Sequence, residues 1–306
     1  MEDLREGIVL KRIKGFYYLM DDFGEEVACK IKGSLFKESR FDNQVAVGDR
    51  VRYLLSEKNT QGLITGLLPR RSFLSRNRVG IDTEQIIAAN VDLLLMVSSV
   101  KQPAFRHNLI FRLIVAAYIG NIIPVLVMTK TDLLGIKEIR ELLRPFEGID
   151  ISIQLTSVKQ PKTCLEIKDL IASRICVLSG HSGVGKSTLV NLLYPEFQLE
   201  TGKINPKTSK GLHTTTSSMM YPVGEKGFII DTPGIREFGF WNLKRENLRK
   251  YYPGIRDYNS QCKLRNCCHI HEPSCQVKSD LKEKNLNSDL YAGYISIYES
   301  LPSGGH

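Results

Sequence analysis

The 306-residue sequence predicts a multidomain fold: an antiparallel β-barrel over residues 1–68, an α/β layer over 69–240 and a small cysteine-rich helical region over 241–306. Three observations predict it. The chain is longer than a usual single domain. Its hydrophobic rhythm changes near Asn90, from short strand-like runs to apolar strands alternating with amphipathic helices. Beyond "REFGFW" it changes again, to a polar, aromatic and cysteine-rich text.

In the first block the runs "GIVLKRI", "GFYYLMD", "EEVACKI", "VAVGDRVRYLL" and "GLITGLL" are parted by Gly, Asp and Lys, with no helical pattern among them. Five short strands predict a small antiparallel barrel. The oligonucleotide-binding barrel is the leading form and an SH3-like barrel the alternative. The segment that follows, "PRRSFLSRNRVG", carries Arg70, Arg71, Arg76 and Arg78 around Phe73 with no acid among them. Arginines around an aromatic suit phosphate contact and base stacking; an interdomain linker is the competing reading. The formal net charge of +9 fits an anionic partner or a solvated basic surface.

The second block reads "VDLLLMVSS", "FRHNLIFRLIVAAYIG", "IIPVLVM", "IKEIRELLRPF", "DISIQL", "TCLEIKDLIA", "RICVLSG", "KSTLVNLLY", "SSMMYPV" and "FIID". Apolar strands alternating with amphipathic helices predict a sheet buried on both faces. Phe105, Leu109 and Leu113 recur at helical spacing and are assigned to the core. In the third block Leu290, Tyr294, Ile297, Tyr298 and Leu301 share one helix face. The N-terminus lacks a basic flank and apolar core, and the most apolar run is broken by Asn90 and Asp92, so a cytoplasmic protein without membrane contact is expected.

Chemistry concentrates in the second block. "GHSGVGKS" fits G-x-x-x-x-G-K-[ST] and lies between a strand and a helix, where that loop must lie. Gly180, Gly183 and Gly185 let successive N–H groups turn toward phosphates at a helix terminus, with Ser182, Val184 and Thr188 completing the loop. Lys186 is expected on the β- and γ-phosphates and Ser187 on magnesium. "FIIDTPG" puts Asp231 at a strand end, where its carboxylate serves magnesium, while the N–H of Gly234 reaches the γ-phosphate. Between them "KGLHTTT" offers Thr214, Thr215 and Thr216 to the magnesium shell.

"TKTD" and "LTSVK" follow apolar strands, so both project from strand C-termini, where ligands of open α/β sheets bind. Asp132 can accept from both N1–H and N2–H of guanine. The stem of Lys130 can cover the base, and Ser157 with the backbone after it can receive O6. The base element thus precedes the phosphate loop in the chain. A site built from several strand ends is fixed by spatial arrangement, so chain order can be rotated.

With "LPRRSFLSR", "IAANVD", "TKTDLL", "GHSGVGKSTL", "GLHTTT", "DTPGIREFGFW" and the cysteine cluster in that order, the sequence resembles the circularly permuted GTPases, closely the ribosome small-subunit-dependent GTPase A family. The resemblance covers nearly the whole chain. It implies an oligonucleotide-binding barrel (OB-fold), a permuted P-loop GTPase using GTP/GDP and Mg2+, and a zinc region. It also implies action late in small-ribosomal-subunit maturation, with the subunit and its rRNA as partners and hydrolysis stimulated by the subunit; a monomer is the default expectation, which no residue pattern supplies. The alternative is an RNA-binding assembly module with a weak or timer-like GTPase. Two residues depart from expectation. Thr129 stands where the family usually has Asn, which bridges base and phosphate loop, so weaker guanine binding is expected. Ile235 replaces a water-positioning Gln, which makes intrinsic hydrolysis slow; the resemblance implies His213 as its catalytic substitute. Rotation also leads the chain from D-x-P-G straight into the third block, where hydrolysis is expected to act as a change of tether.

Of seven cysteines, Cys29, Cys164, Cys176 and Cys268 are scattered and expected as small buried residues. Cys262, Cys267, His269 and Cys275, spaced C-x4-C-x-H-x5-C, offer three thiolates and one imidazole for one structural zinc ion. Cys268 and His271 are the substitutes should the register differ, and buried thiols are the competing reading.

Overall fold

The computed structural model describes residues 4–32, 45–55, 61–78, 81–197, 218–231, 240, 243–258 and 260–302, without the side chains of 77, 78 and 81–83. His213, Thr214, Thr215, Thr216, Gly234 and Ile235 lie outside the described residues.

Alternation builds the N-terminal barrel. Strands β1 (Leu4–Ile13), β2 (Phe16–Asp21), β3 (Glu26–Ile31), β4 (Arg50–Leu55) and β5 (Gly62–Leu67) close in the order β1-β2-β3-β5-β4-β1. Strands β3 and β5 run parallel, and the other neighbours antiparallel. This five-stranded circuit is the oligonucleotide-binding form, not the SH3-like one. Tyr17, Leu19, Cys29, Val51, Tyr53 and Ile64 point inward and are buried, while Phe16, Tyr18 and Met20 alternate outward.

The arginine segment enters a strand at Phe73, after Arg70 and Arg71. β6 (Phe73–Arg78) pairs antiparallel with β7 (Ile81–Ala89). Its first arginines are spent on the joint between barrel and α/β layer. Arg70 grips the fully buried Asp49 of the barrel through Nε and Nη2, both at 2.7 Å. Arg71 pairs with Asp92 at 2.6 Å and donates to the Asn90 carbonyl. Arg76 donates to Gln85 across the hairpin. The segment lacks local acids because its acids come from elsewhere in the chain, which favours the linker reading. Asn90 (φ 54°) donates to Gly48 O at 2.9 Å, and Gly48 (φ 87°) is obligatory because a Cβ there would lie 2.2 Å from Ala89 O.

The central layer comprises β8 (Leu93–Ser99), α1 (His107–Ile119), β9 (Ile123–Thr129), α2 (Ile136–Leu143), β10 (Ser152–Leu155), α3 (Lys162–Ile171), β11 (Ile175–Ser179), α4 (Lys186–Leu193), β12 (Met219–Val223) and β13 (Gly227–Asp231). Its order is β10-β9-β8-β11-β13-β12, parallel except for β12. Every residue of β8 is buried, as a strand covered on both faces requires. At the far edge β12 pairs with β1 at Lys11–Met219, so the sheet runs on into the barrel. Leu113 is buried in α1, and Leu109 packs against the same core. Phe105 precedes the helix and instead meets the rings of His107 and Phe146 edge-on.

The third region holds α5 (Arg245–Leu248), α6 (Gln276–Lys282) and α7 (Ser288–Ser300). Asn287 caps α7 by accepting from Asp289 N and Leu290 N, a contact that stabilises a helix by about 1 kcal/mol. Leu290, Tyr294 and Ile297 are buried along the expected face. They join the central core: a Cβ on Gly293 would lie 2.7 Å from the Phe111 ring, and Tyr252 donates to Leu290 O at 2.8 Å. Arg144 pairs with Asp289, and Asn108 donates to Ser296. The third region is thus packed on α1 through a shared core, while the expected tether leading into it from D-x-P-G lies, apart from Phe240, outside the described residues. No described helix is long and apolar enough to cross a membrane.

Candidate functional site: a nucleotide cleft and a cysteine knuckle

Parallel strands bring the separated motifs to one edge. β11 leads into the loop 180–185, and its neighbour β13 ends on Asp231, paired with Leu178. Gly180 packs so closely on β8 that a Cβ would lie 2.1 Å from Val97 O. Gly183 (φ 80°) and Gly185 (φ 100°) take left-handed conformations, and Gly185 opens α4. The loop amides thus precede the positive end of a helix, an arrangement that receives phosphates. The Lys186 ammonium arches over the loop, donating to Gly180 O at 2.6 Å and His181 O at 2.7 Å. Ser187 is buried at the helix start, whereas Ser182 and Thr188 are exposed. With Asp231, Ser187 supplies the oxygen donors that suit magnesium.

The base element is strapped to this loop. The Thr129 hydroxyl donates to Val184 O, sharing its proton with Ser98 O at 3.3 Å. Lys130, in a left-handed conformation, sends its ammonium to Gly183 O at 2.8 Å and to Gln102 O. The Thr129 hydroxyl thus makes the contact to the phosphate loop, and as a single donor it has no second proton to turn toward a base.

Asp132 stands at the mouth of the cleft, an exposed residue whose side chain is 16% exposed. Ser157 Oγ donates to Oδ1 at 2.6 Å, and Lys159 Nζ lies 2.8 Å from Oδ2. The Lys159 ammonium, and then the Ser157 hydroxyl, hold the carboxyl below its ordinary range, so it stays an acceptor. Ser157 itself is buried. Its hydroxyl donates to Asp132 and its N–H to Thr163 Oγ1, so Ser157 fixes the carboxylate. Lys159 was not among the expected site residues; its place two positions after Ser157, on the turn following β10, is the feature that could have marked it.

The second constellation is the cysteine knuckle. The ligand atoms of Cys262, Cys267, His269 and Cys275 all lie within 4.8 Å of one another. His269 Nδ1 is 3.5 Å from Cys262 Sγ and 3.4 Å from Cys275 Sγ. Metal–ligand lengths of about 2.3 Å to sulfur and 2.0 Å to nitrogen give tetrahedral S···N edges of about 3.5 Å. The set is therefore compatible with zinc. Burial pushes both Cys267 and Cys275 thiols up and pushes His269 down, against the pull of Glu272, so the imidazole keeps a lone pair to donate. Cys268 and His271 stand outside the cluster, and Cys268 is only half-buried, unlike the buried Cys29, Cys164 and Cys176.

Groups that the ligand spacing does not reveal hold this knuckle. Glu272 accepts from the N–H groups of Cys268, Ile270 and His271, at 2.5, 3.0 and 3.1 Å. Burial raises its carboxyl, but those amides and its own outweigh the effect and leave it lowered. Tyr291 and Tyr294 of α7 donate to His269 O and Cys268 O, at 2.7 and 2.8 Å. These bonds hold His269 in a left-handed conformation, φ 62°.

Comparison with known proteins agrees with this geometry. A family model described as RsgA GTPase matches residues 67–241, and one described as RsgA N-terminal domain matches 6–64. The chain is 35% identical over 309 residues to the small ribosomal subunit biogenesis GTPase RsgA of Chlorobaculum parvum, covering 98% of this chain and 99% of that protein. It is 34% identical to the small ribosomal subunit biogenesis GTPase RsgA 2 of Bacteroides thetaiotaomicron, covering 98% of each. The crystal structure of YjeQ from Thermotoga maritima superposes with a TM-score of 0.78 at 27% identity, over 98% of this chain and 99% of that one. That of YloQ, a circularly permuted GTPase, gives 0.75 at 26%, over 98% and 95%. With its cleft assembled from motifs in rotated order, and with relatives spanning its length, the chain belongs to the RsgA GTPase family.

Proposed function

We propose that this protein is a GTP hydrolase of small-ribosomal-subunit maturation, acting as a monomer that grips the subunit's rRNA and is stimulated by it. The observation that carries the reading is the strap from Thr129 and Lys130 to Val184 and Gly183, which keeps the Asp132 carboxylate in fixed register with the phosphate loop. Asp132 reads guanine through N1–H and N2–H, Lys186 and the loop amides hold the phosphates, and Ser187 with Asp231 holds Mg2+. Bound magnesium draws charge from the phosphates. One of Thr214, Thr215 and Thr216 completes the magnesium shell, the Gly234 N–H reaches the γ-phosphate, and His213 orients the attacking water. In the knuckle, Cys262, Cys267, His269 and Cys275 hold one structural zinc ion per chain.

Contact with rRNA is supported by the outer face of β2 and its neighbours. Lys30 lies over the Phe16 ring at 5.2 Å, and Lys11 over Tyr18 at 4.9 Å while pairing with Glu26 at 2.8 Å. Cations beside aromatic faces serve phosphate contact and base stacking, and the β2–β3 face is where such barrels bind oligonucleotides.

The test is GTP turnover with and without purified small subunits. Stimulation of about tenfold or more is expected, lost in Lys186→Ala. His213→Ala lowers the stimulated rate and leaves GTP affinity nearly intact. A wild-type rate indifferent to subunits overturns the proposal.

A further inference from the structure

The geometry points to a pocket that recognises guanine without reading N7, with Thr129 as the residue responsible. This rests on the guanine-nucleotide reading above. A guanine held by Asp132 through N1–H and N2–H presents two acceptors beyond that edge, first O6 and then N7. Each needs a donor from the loops around the base.

The inventory of donors there is short. Thr129 has one hydroxyl proton, committed to the Val184 and Ser98 carbonyls. The Ser157 hydroxyl is committed to Asp132 and its N–H to Thr163. The Lys159 N–H returns to Ser157 Oγ, and the Thr131 hydroxyl goes to Thr156 O. The Lys130 ammonium donates to Gly183 O and Gln102 O and that of Lys159 to Asp132; their remaining protons ride on flexible stems and are not fixed donors. Among the described residues this leaves the Val158 N–H as the one fixed donor of the Ser157–Gln160 turn without a partner. One fixed donor serves one acceptor. O6, adjacent to the N1–H held by Asp132, takes it, and N7 goes without.

An Asn at 129 would differ in kind, because its amide nitrogen carries two protons: one can hold Val184 O while the other faces the base. Thr129 keeps the strap and gives up the second donor. Selectivity then lies wholly on the N1, N2 and O6 side.

The experiment compares equilibrium affinities of the full chain for GTP, 7-deaza-GTP and ITP. The expected wild-type preference for GTP over 7-deaza-GTP is within about twofold, whereas Thr129→Asn favours GTP by about fivefold or more, the span of one neutral hydrogen bond. Thr129→Ser, which retains the single donor, behaves as wild type. A wild-type preference of about fivefold or more overturns the inference whatever the variants do. ITP separates this from failure of the underlying reading: lacking the 2-amino group, it binds at least about tenfold more weakly if Asp132 reads guanine. Equal binding of ITP and GTP sinks that reading, and with it the ground for this one.

Discussion

The nucleotide cleft and the cysteine knuckle hold their functional groups by opposite means. In the cleft, Asp132, Ser157, the phosphate loop and Asp231 project from the ends of parallel strands, of which β8, β9 and β11 are largely buried and β10 is the partly exposed edge. The sheet sets their spacing, and straps such as Thr129 to Val184 refine it. In the knuckle the ligands sit on turns between Cys262 and Cys275, and their order comes from Glu272, Tyr291 and Tyr294. A scaffold of strands orients groups before any ligand arrives. A knuckle of turns depends on such outer hydrogen bonds, and a cation shared by its three thiols and imidazole would add to them.

The sharpest way to break that contrast is to remove a ligand. Cys267→Ser is expected to lose bound zinc and to lower the first calorimetric transition by about 5 °C or more. Because α7 shares its core with α1, the loss should reach the central layer. Lys186→Ala, on the preorganised side, should retain both zinc and melting behaviour. Metal analysis with scanning calorimetry checks the pair; a Cys267→Ser protein melting with the wild type removes the metal from the account.

A smaller effect is expected one step outward. Glu272 makes no contact that would ligate metal, yet it gathers three amides around His269. Glu272→Ala should weaken zinc retention by about 10- to 100-fold against a chromophoric chelator while leaving GTP affinity unchanged. Glu272→Gln, with one acceptor oxygen kept, should fall between. Equal retention in all three would return the ordering role to the tyrosines.

What the sequence reveals follows the same division. Strands and motifs of the cleft are legible because their periodicity and most glycine positions have local causes: Gly183 and Gly185 mark the loop by their left-handed conformations without reference to anything distant. The knuckle ligands are legible from Cys and His spacing. Partnerships across the chain are not. Arg70 and Asp49, Arg71 and Asp92, and Asp132 with Ser157 and Lys159 pair residues far apart or of ordinary type, and only the packed structure assigns them. The same reason hid the docking of α7 on α1, since an amphipathic helix announces a buried face but not the surface that buries it.

Ser157 tests the contrast from the side where least should change. Its hydroxyl donates to Oδ1 of a carboxylate that also keeps Lys159, and the strand end holding Asp132 does not depend on it. Ser157→Ala removes one charge-assisted hydrogen bond from a buried position, so a loss of about 1–2 kcal/mol in GTP binding is expected, roughly 5- to 30-fold. Lys159→Ala, at a side chain 72% exposed, should cost less still, because water screens the pair. Titration calorimetry of both variants ranks them. Should Lys159→Ala prove the more damaging, the carboxylate would be held by a mobile surface charge rather than by the sheet, and the cleft would resemble the knuckle more than it differs from it.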